Sequence, residues 1–473
     1  MSVYIAGLSS CTEEAEQITF VTPPNIVMIA IDDMNDWIGS WGGQAITPNI
    51  DKLAKEGRMF RNSFCIAPVC NPSRASLMTG QRPETTGLYE NIGNFRDNPG
   101  GMERITIPQY LRNYGYEAVA AGKIFHNPRG AGEEPLERSD DISWDYQWRG
   151  GLGTPGHHLF LNEEGYAKWL DGANLDGVDS YLRRFGVWGP IPHSKEECGD
   201  WQIADFGVQY LEKEHEKPFF LALGIFRPHS PQIAPRKYFD MYPPDQIDMP
   251  FIPHDEMDDI PEIAQTNWST PFVNLVMEKG EWKNAVQGYL ASMSFADDCV
   301  GHFMNALDNS KYRDNTIVIF WSDHGFQLAH KQRWEKHTLW RQATRSPMII
   351  RLPEGMMEPG VTLAPVSLLD IYPTIVDLLG NEQPDYLEGH SLVPLLENPD
   401  YPRKEPAVVT YRPGNHSVLF QNWNYIRYRD GSEELYDHDS DPGEFSNLAL
   451  DPAYGAVLEK LGEWVPASTN HSP

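Results

Sequence analysis

Three apolar runs decide what this chain can become. They are NIVMIAI at Asn25–Ile31, PFFLALGIF at Pro218–Phe226 and TIVIFWS at Thr316–Ser322. None shows the polar alternation of a half-wet strand, so each reads as a strand buried on both faces, the habit of parallel sheets. SPMIIRL at Ser346–Leu352 reads as a fourth. Helical patterns lie between them at Asn49–Gly57, Thr106–Gly115, Ala285–Leu307 and Ser367–Gly380, several closed by a glycine. Alternating strands and helices predict an α/β fold with a large, mainly parallel sheet.

After Pro406 the texture changes. Short runs such as AVVTYR, SVLFQ, NYIRYRD and EELYDH are separated by Gly, Asn and Asp turns, and an amphipathic helix follows near Tyr454–Val465. This predicts a small C-terminal antiparallel-sheet subdomain. The expected division is an N-terminal tail or signal remnant at 1–22, a catalytic domain at 23–397 and an α+β subdomain at 398–473. The stretch Asn127–Asp200 is rich in Gly and Trp and irregular; insertions of that length are usually functional or flexible. Trp144, Trp148, Trp188 and Trp201 are either a groove floor or core.

A net charge of −29 over 473 residues disfavours a nucleic-acid partner, because affinity there comes from neutralising phosphates. An anionic substrate would need a local basic pocket. Five cysteines without a C-x-x-C pair indicate neither a disulfide framework nor a zinc cluster. No run is long enough to form a transmembrane segment. Val3–Cys11 ends in Leu-Ser-Ser-Cys, similar to a bacterial lipoprotein box, but the basic leader is missing, so a trimmed signal and a plain tail both fit.

Two strand ends match. Asp32 and Asp33 leave the first strand; Asp323 and His324 leave the strand at Thr316. Ligands of open parallel sheets sit at such carboxyl ends. Adjacent carboxylates repel unless a cation offsets them, and calcium, magnesium, manganese and zinc all suit these donors. Cys70 begins a helical stretch, CNPSRASLMT, where free N–H groups and the helix dipole favour an anion. Arg74 adds a permanent charge with a planar fork. The spacing does not fit a cysteine phosphatase loop.

Cys70-Asn71-Pro72-Ser73-Arg74, followed by Thr79-Gly80 and Arg82-Pro83, resembles the signature of type I sulfatases, with the alkaline-phosphatase-like fold. The stretches TIPQYLRNYGYEAVAAGKIFH, KPFFLALGIFRPHSP and VIFWSDHGFQLAHKQRWEKH are similar to the iduronate-2-sulfatase-like branch. The resemblance implies that Cys70 is the precursor of Cα-formylglycine, made by a formylglycine-generating maturation enzyme. It implies one Ca2+ held by Asp32, Asp33, Asp323, His324 and the modified Cys70. It also implies that Arg74 stabilises the hydrated aldehyde, Lys123 and Lys336 contact sulfate, His126 removes a proton from the diol, and His229 protonates the leaving alcohol. The substrate class implied is a sulfated saccharide, glycosaminoglycan-like or algal (ulvan or carrageenan), and the enzyme is expected to be bacterial and exported, periplasmic or secreted, with a lipid anchor as one form. The competing readings are a phosphoester or phosphonate hydrolase on the same scaffold and a catalytically silent sugar-binding homologue.

Overall fold

The computed structural model describes residues 18–126, 140–151, 155–265 and 268–467. The lipoprotein-like box at Val3–Cys11 lies outside them, as does part of the Asn127–Asp200 insertion.

The eight strands of the main sheet are β1 (Asn25–Ile31), β2 (Arg58–Phe60), β3 (Glu117–Gly122), β4 (Tyr146–Trp148), β5 (Phe219–Ile225), β6 (Thr316–Ser322), β7 (Met348–Arg351) and β8 (Gly360–Thr362). Their spatial order is β8-β2-β7-β6-β1-β5-β3-β4. The central run from β6 to β4 is parallel throughout. β7 is the exception. It runs antiparallel to both β6 and β2, which corrects the reading of Ser346–Leu352 as one more parallel strand. The chain leaving β6 builds site loops at that end of the sheet and returns directly, with no crossover helix to carry it back to the other end. β4 was also unexpected: it adds an edge strand from within the irregular insertion.

β1 shows how the sheet is held. All seven of its residues are buried. Val27, Ile29 and Ile31 enter one core and Ile26, Met28 and Ala30 the other, as the two-residue period of a strand requires. The first core is covered by α1 (Pro48–Glu56), then by α5 (Gly199–Leu211) and α6 (Trp282–Asp308). The second is covered by α2 (Cys70–Thr79), α3 (Ile107–Asn113) and α7 (Ile371–Leu378). The short helix α4 (Ser180–Phe185) lies in the insertion.

The C-terminal strands β9 (Ala407–Thr410), β10 (His416–Phe420), β11 (Trp423–Arg427) and β12 (Glu433–Asp437) form an antiparallel sheet in sequence order. Val409, Leu419, Ile426 and Tyr436 join the second core. On the opposite face Val418, Tyr425 and Leu435 pack under α8 (Gly455–Gly462). The small sheet is thus cemented to the large one, and its β9–β10 turn is carried over the site described next. No helix among the described residues is long and apolar enough to cross a membrane.

Candidate active site

Four neighbouring parallel strands, β6, β1, β5 and β3, all deliver residues at their carboxyl ends. Asp32 and Asp33 follow β1, Lys123 and His126 follow β3, His229 follows β5, and Asp323 and His324 follow β6. Cys70 opens α2 beside them, and Lys336 reaches in from the loop after β6. The ten residues expected from the sequence thereby converge on one place at the carboxyl end of the sheet.

Cys70 Sγ lies 3.3 Å from His324 Nε2 and 3.3 Å from Lys336 Nζ. His126 also hydrogen-bonds to it. Burial alone would raise the thiol's pKa. Lys123, Lys336 and His324 outweigh that and hold it well below the ordinary thiol range. Cys65, Cys198 and Cys299 are also buried free thiols, but theirs are pushed up.

Three cations are threaded among three carboxylates. Arg74, fully buried, donates from Nε to Asp323 Oδ2 at 2.8 Å and from Nη2 to Asp32 Oδ1 at 3.2 Å. Its Nη1 bonds the carbonyls of Lys123 (2.5 Å) and Ile124 (3.1 Å). Lys123 Nζ reaches Asp32 Oδ2 at 2.5 Å, and Lys336 Nζ reaches Asp33 Oδ1 at 2.5 Å. Burial works against the charged form of each group. Even so, Lys123 holds Asp32 well below the usual carboxylate range, Asp323 and Asp32 keep Arg74 charged, and Asp33 keeps Lys336 charged.

The donor set fits a divalent ion. One ligand atom each from Asp33, Cys70, Asp323 and His324 lies within 4.8 Å of the others. Asp33 Oδ2 is buried without a hydrogen-bond partner, an orphan that a cation would satisfy. His324 Nδ1 is 2.9 Å from the Gly325 carbonyl, which fixes a hydrogen there and leaves Nε2 its lone pair. Asp32 sits at the edge of this group, its carboxylate bridging Lys123 and Arg74.

Residues not anticipated from the sequence hold this arrangement. Tyr289 of α6 donates its hydroxyl to the Asp33 carbonyl at 2.7 Å and accepts the Asn35 N–H at 2.9 Å, fixing a turn in which Asp33 has φ 65°. Asp200 of α5 accepts the N–H groups of Phe226 (2.7 Å) and Arg227 (3.2 Å), anchoring the loop that presents His229. His229 Nδ1 is 2.8 Å from the Ser230 carbonyl, so Nε2 faces the site, 3.9 Å from Asp33 Oδ2. Ser230 in turn donates to Glu335 Oε1 at 2.9 Å. Only Glu335 had a sequence cue, as the acid next to Lys336 in RWEKH. The four tryptophans pack elsewhere: Trp144 and Trp188 are buried, and Trp148 and Trp201 lie half-buried against the core.

Residues 24–381 match the sulfatase family, over more than half of the chain. The chain belongs to the sulfatase family. It is accordingly a hydrolase of sulfate esters with an alkaline-phosphatase-like fold. Residues 330–470 match the C-terminal region of N-sulphoglucosamine sulphohydrolase. A sulfatase of Formosa agariphila is 35% identical, covering 98% of this chain and 90% of its own. Mouse (Mus musculus) iduronate 2-sulfatase is 28% identical, covering 97% of each. Among solved structures, BT4656 in complex with D-glucosamine-2-N,6-O-disulfate superposes with a TM-score of 0.69 at 20% identity, covering 94% of this chain and 97% of that one, a likeness of fold.

Proposed function

We propose that this sulfatase is formylglycine-dependent, binds one calcium ion through Asp32, Asp33, Asp323 and His324 beside residue 70, and removes sulfate from an anionic saccharide. The observation that carries the reading is Cys70 itself, buried at a helix N-terminus with Lys336 and His324 each 3.3 Å from its sulfur. Oxidised by a maturation enzyme, residue 70 supplies a hydrated aldehyde as nucleophile, and the bound ion supplies a Lewis acid for a sulfate oxygen.

The chain's own residues divide the remaining work. Lys123 and Lys336 place two ammonium groups where sulfate oxygens would gather charge. Arg74 touches Asp32 and Asp323 and screens them from the incoming anion. His126 is bonded to the residue-70 side chain and is placed to take its proton. His229 has Nδ1 committed to a backbone carbonyl, so Nε2 is the nitrogen that gives a proton to the departing sugar oxygen. A saccharide substrate is supported by the iduronate-sulfatase relative. An exported enzyme, periplasmic or secreted, is part of this proposal and is consistent with the bacterial sulfatase relative. The division into a catalytic unit at 23–397 and a subdomain at 398–473 belongs to this proposal.

The test is product identity. Protein co-expressed with a formylglycine-generating enzyme is offered sulfated glycosaminoglycan, ulvan and carrageenan oligosaccharides alongside phenyl phosphonate and phosphate esters. Inorganic sulfate is the expected product. Faster release of phosphate or phosphonate would replace the reading with a phosphorus hydrolase. Tight sugar binding with no release from any ester would make the chain a silent binder.

A further inference from the structure

Lys336 is followed by a residue the chemistry above does not use. His337 adopts φ 74°, and Glu335 on the other side of Lys336 adopts φ 67°. Left-handed backbone at two non-glycine residues is strained and persists where surrounding contacts impose it. For His337 the contact is its N–H, which donates to the Pro68 carbonyl at 3.1 Å, two residues before Cys70. That bond ties the backbone carrying the imidazole to the segment leading into Cys70. The imidazole stands edge-on between two aromatic rings, 5.3 Å from Trp268 at 83° and 6.0 Å from Tyr411 at 61°. Burial, together with the neighbouring Lys336 charge, pushes it down to about 3, so it is a neutral ring.

Tyr411 and Arg412 belong to the β9–β10 turn of the C-terminal sheet. That turn is pinned to the catalytic unit: Thr410 N–H donates to the Ile66 carbonyl at 2.8 Å and its hydroxyl to Glu84 Oε1 at 2.7 Å. Arg412 also has a left-handed backbone, φ 59°, and its guanidinium lies 5.2 Å over the Tyr411 ring. Its Nε donates to Glu90 Oε1 at 2.8 Å. Glu90 comes from the loop whose Asn91 accepts the Asn71 N–H at 3.0 Å, next door to Cys70. The Arg412 side chain is 52% exposed. Glu90 holds the Nε edge of the fork.

We infer that Trp268, His337, Tyr411 and Arg412 form a sugar subsite in which the rings pack on a pyranose and Arg412 reads a second oxyanion, a carboxylate or another sulfate, on the saccharide. Flat apolar rings with one charged fork are a combination that binds the C–H face of a sugar and fixes its orientation. A planar guanidinium pairs with either oxyanion through two parallel N–H bonds. In a chain of net charge −29 the attraction for a polyanion has to be local. This inference rests on the sulfatase reading and sharpens it, since it asks for two anionic groups and makes the C-terminal turn a selector.

Binding without turnover tests it. The Cys70→Ala protein with calcium is titrated calorimetrically with glucosamine 6-sulfate, with glucosamine 2-N,6-O-disulfate and with a uronate-containing sulfated disaccharide. The expected background protein prefers the two doubly anionic probes. Arg412→Ala in that background should shrink the preference about tenfold, the value of one charge-assisted pair. Arg412→Lys should recover part of it, because charge remains and the fork is lost. The relative size of the effect on the disulfate and on the uronate separates sulfate from carboxylate recognition. An unchanged preference in Arg412→Ala, or equal weakening for all three probes, overturns the subsite. Failure of the matured wild-type enzyme to release sulfate from any ester would instead refute the underlying activity, whatever the affinities show.

Discussion

Replacing Arg74 with Met separates electrostatic from packing contributions at the centre of the site. Methionine nearly conserves volume, so the cavity cost is small. What disappears is the charge serving Asp323 at 2.8 Å and Asp32 at 3.2 Å, plus two bonds to the Lys123 and Ile124 carbonyls. Both carboxylates are fully buried. Removing one partner of such a pair costs about 3–5 kcal/mol, because a buried charge is left uncompensated. That is a large fraction of a total stability of about 5–15 kcal/mol. Urea unfolding followed by intrinsic fluorescence should therefore show a much lower midpoint. Arg74→Lys keeps the charge but spans only one carboxylate, so it should fall between wild type and Arg74→Met. The cost should also be greater in chelator than in excess calcium, since an ion would neutralise the same carboxylates. A Met variant within 0.5 kcal/mol of wild type (roughly the scatter of surface substitutions), or a Lys variant no better than Met, would refute the charge argument.

Calcium at about 100 times its dissociation constant should stabilise the folded protein by about 2.7 kcal/mol, and chelation should reverse this in a thermal melt; no shift would remove the ion from the account. Gly122→Ala should cost about 1–3 kcal/mol and displace Lys123, because Gly122 has φ +75° and a Cβ there would meet the Gly224 carbonyl oxygen at 2.1 Å; wild-type sulfate release from this variant would show that the strand end tolerates movement. Asp297 gives a pH signature. Burial pushes its pKa to about 7 although it accepts the N–H groups of Asn49 and Ile50. The folded state thus holds a proton that the unfolded chain has lost, and stability should decline as pH rises from about 4 to about 7. Asp297→Asn should flatten that slope; an unaltered slope in denaturant melts would assign it to other groups.

The parallel core was legible because buried strands write their own signature: β1 and β6 begin and end where their apolar runs do. Their terminal acids were equally readable, since a carboxylate leaving a dry strand needs a reason. The direction of β7 was not, because an apolar run looks the same whichever way it is threaded. β4 hid in an irregular segment, three residues long and only half-buried. The supports of the site were least visible. Tyr289 reaches Asp33 across 256 residues, Ser230 reaches Glu335 across 105, and Asp200 reaches Phe226 across 26. In sequence each is an ordinary helix or loop residue, and its meaning comes only from what the fold sets beside it. Arg412 belongs to the same class, since two separate loops had to converge before its charge and the Tyr411 ring could meet His337.

The central claim is that residue 70 works as an aldehyde hydrate and not as a thiol. Intact-peptide mass spectrometry across Ser63–Arg82 should be run on protein prepared with and without the maturation enzyme, and each preparation titrated for sulfate release. Turnover should rise in proportion to the formylglycine fraction and vanish in Cys70→Ala. Full turnover from a preparation whose residue 70 is entirely cysteine would contradict the account.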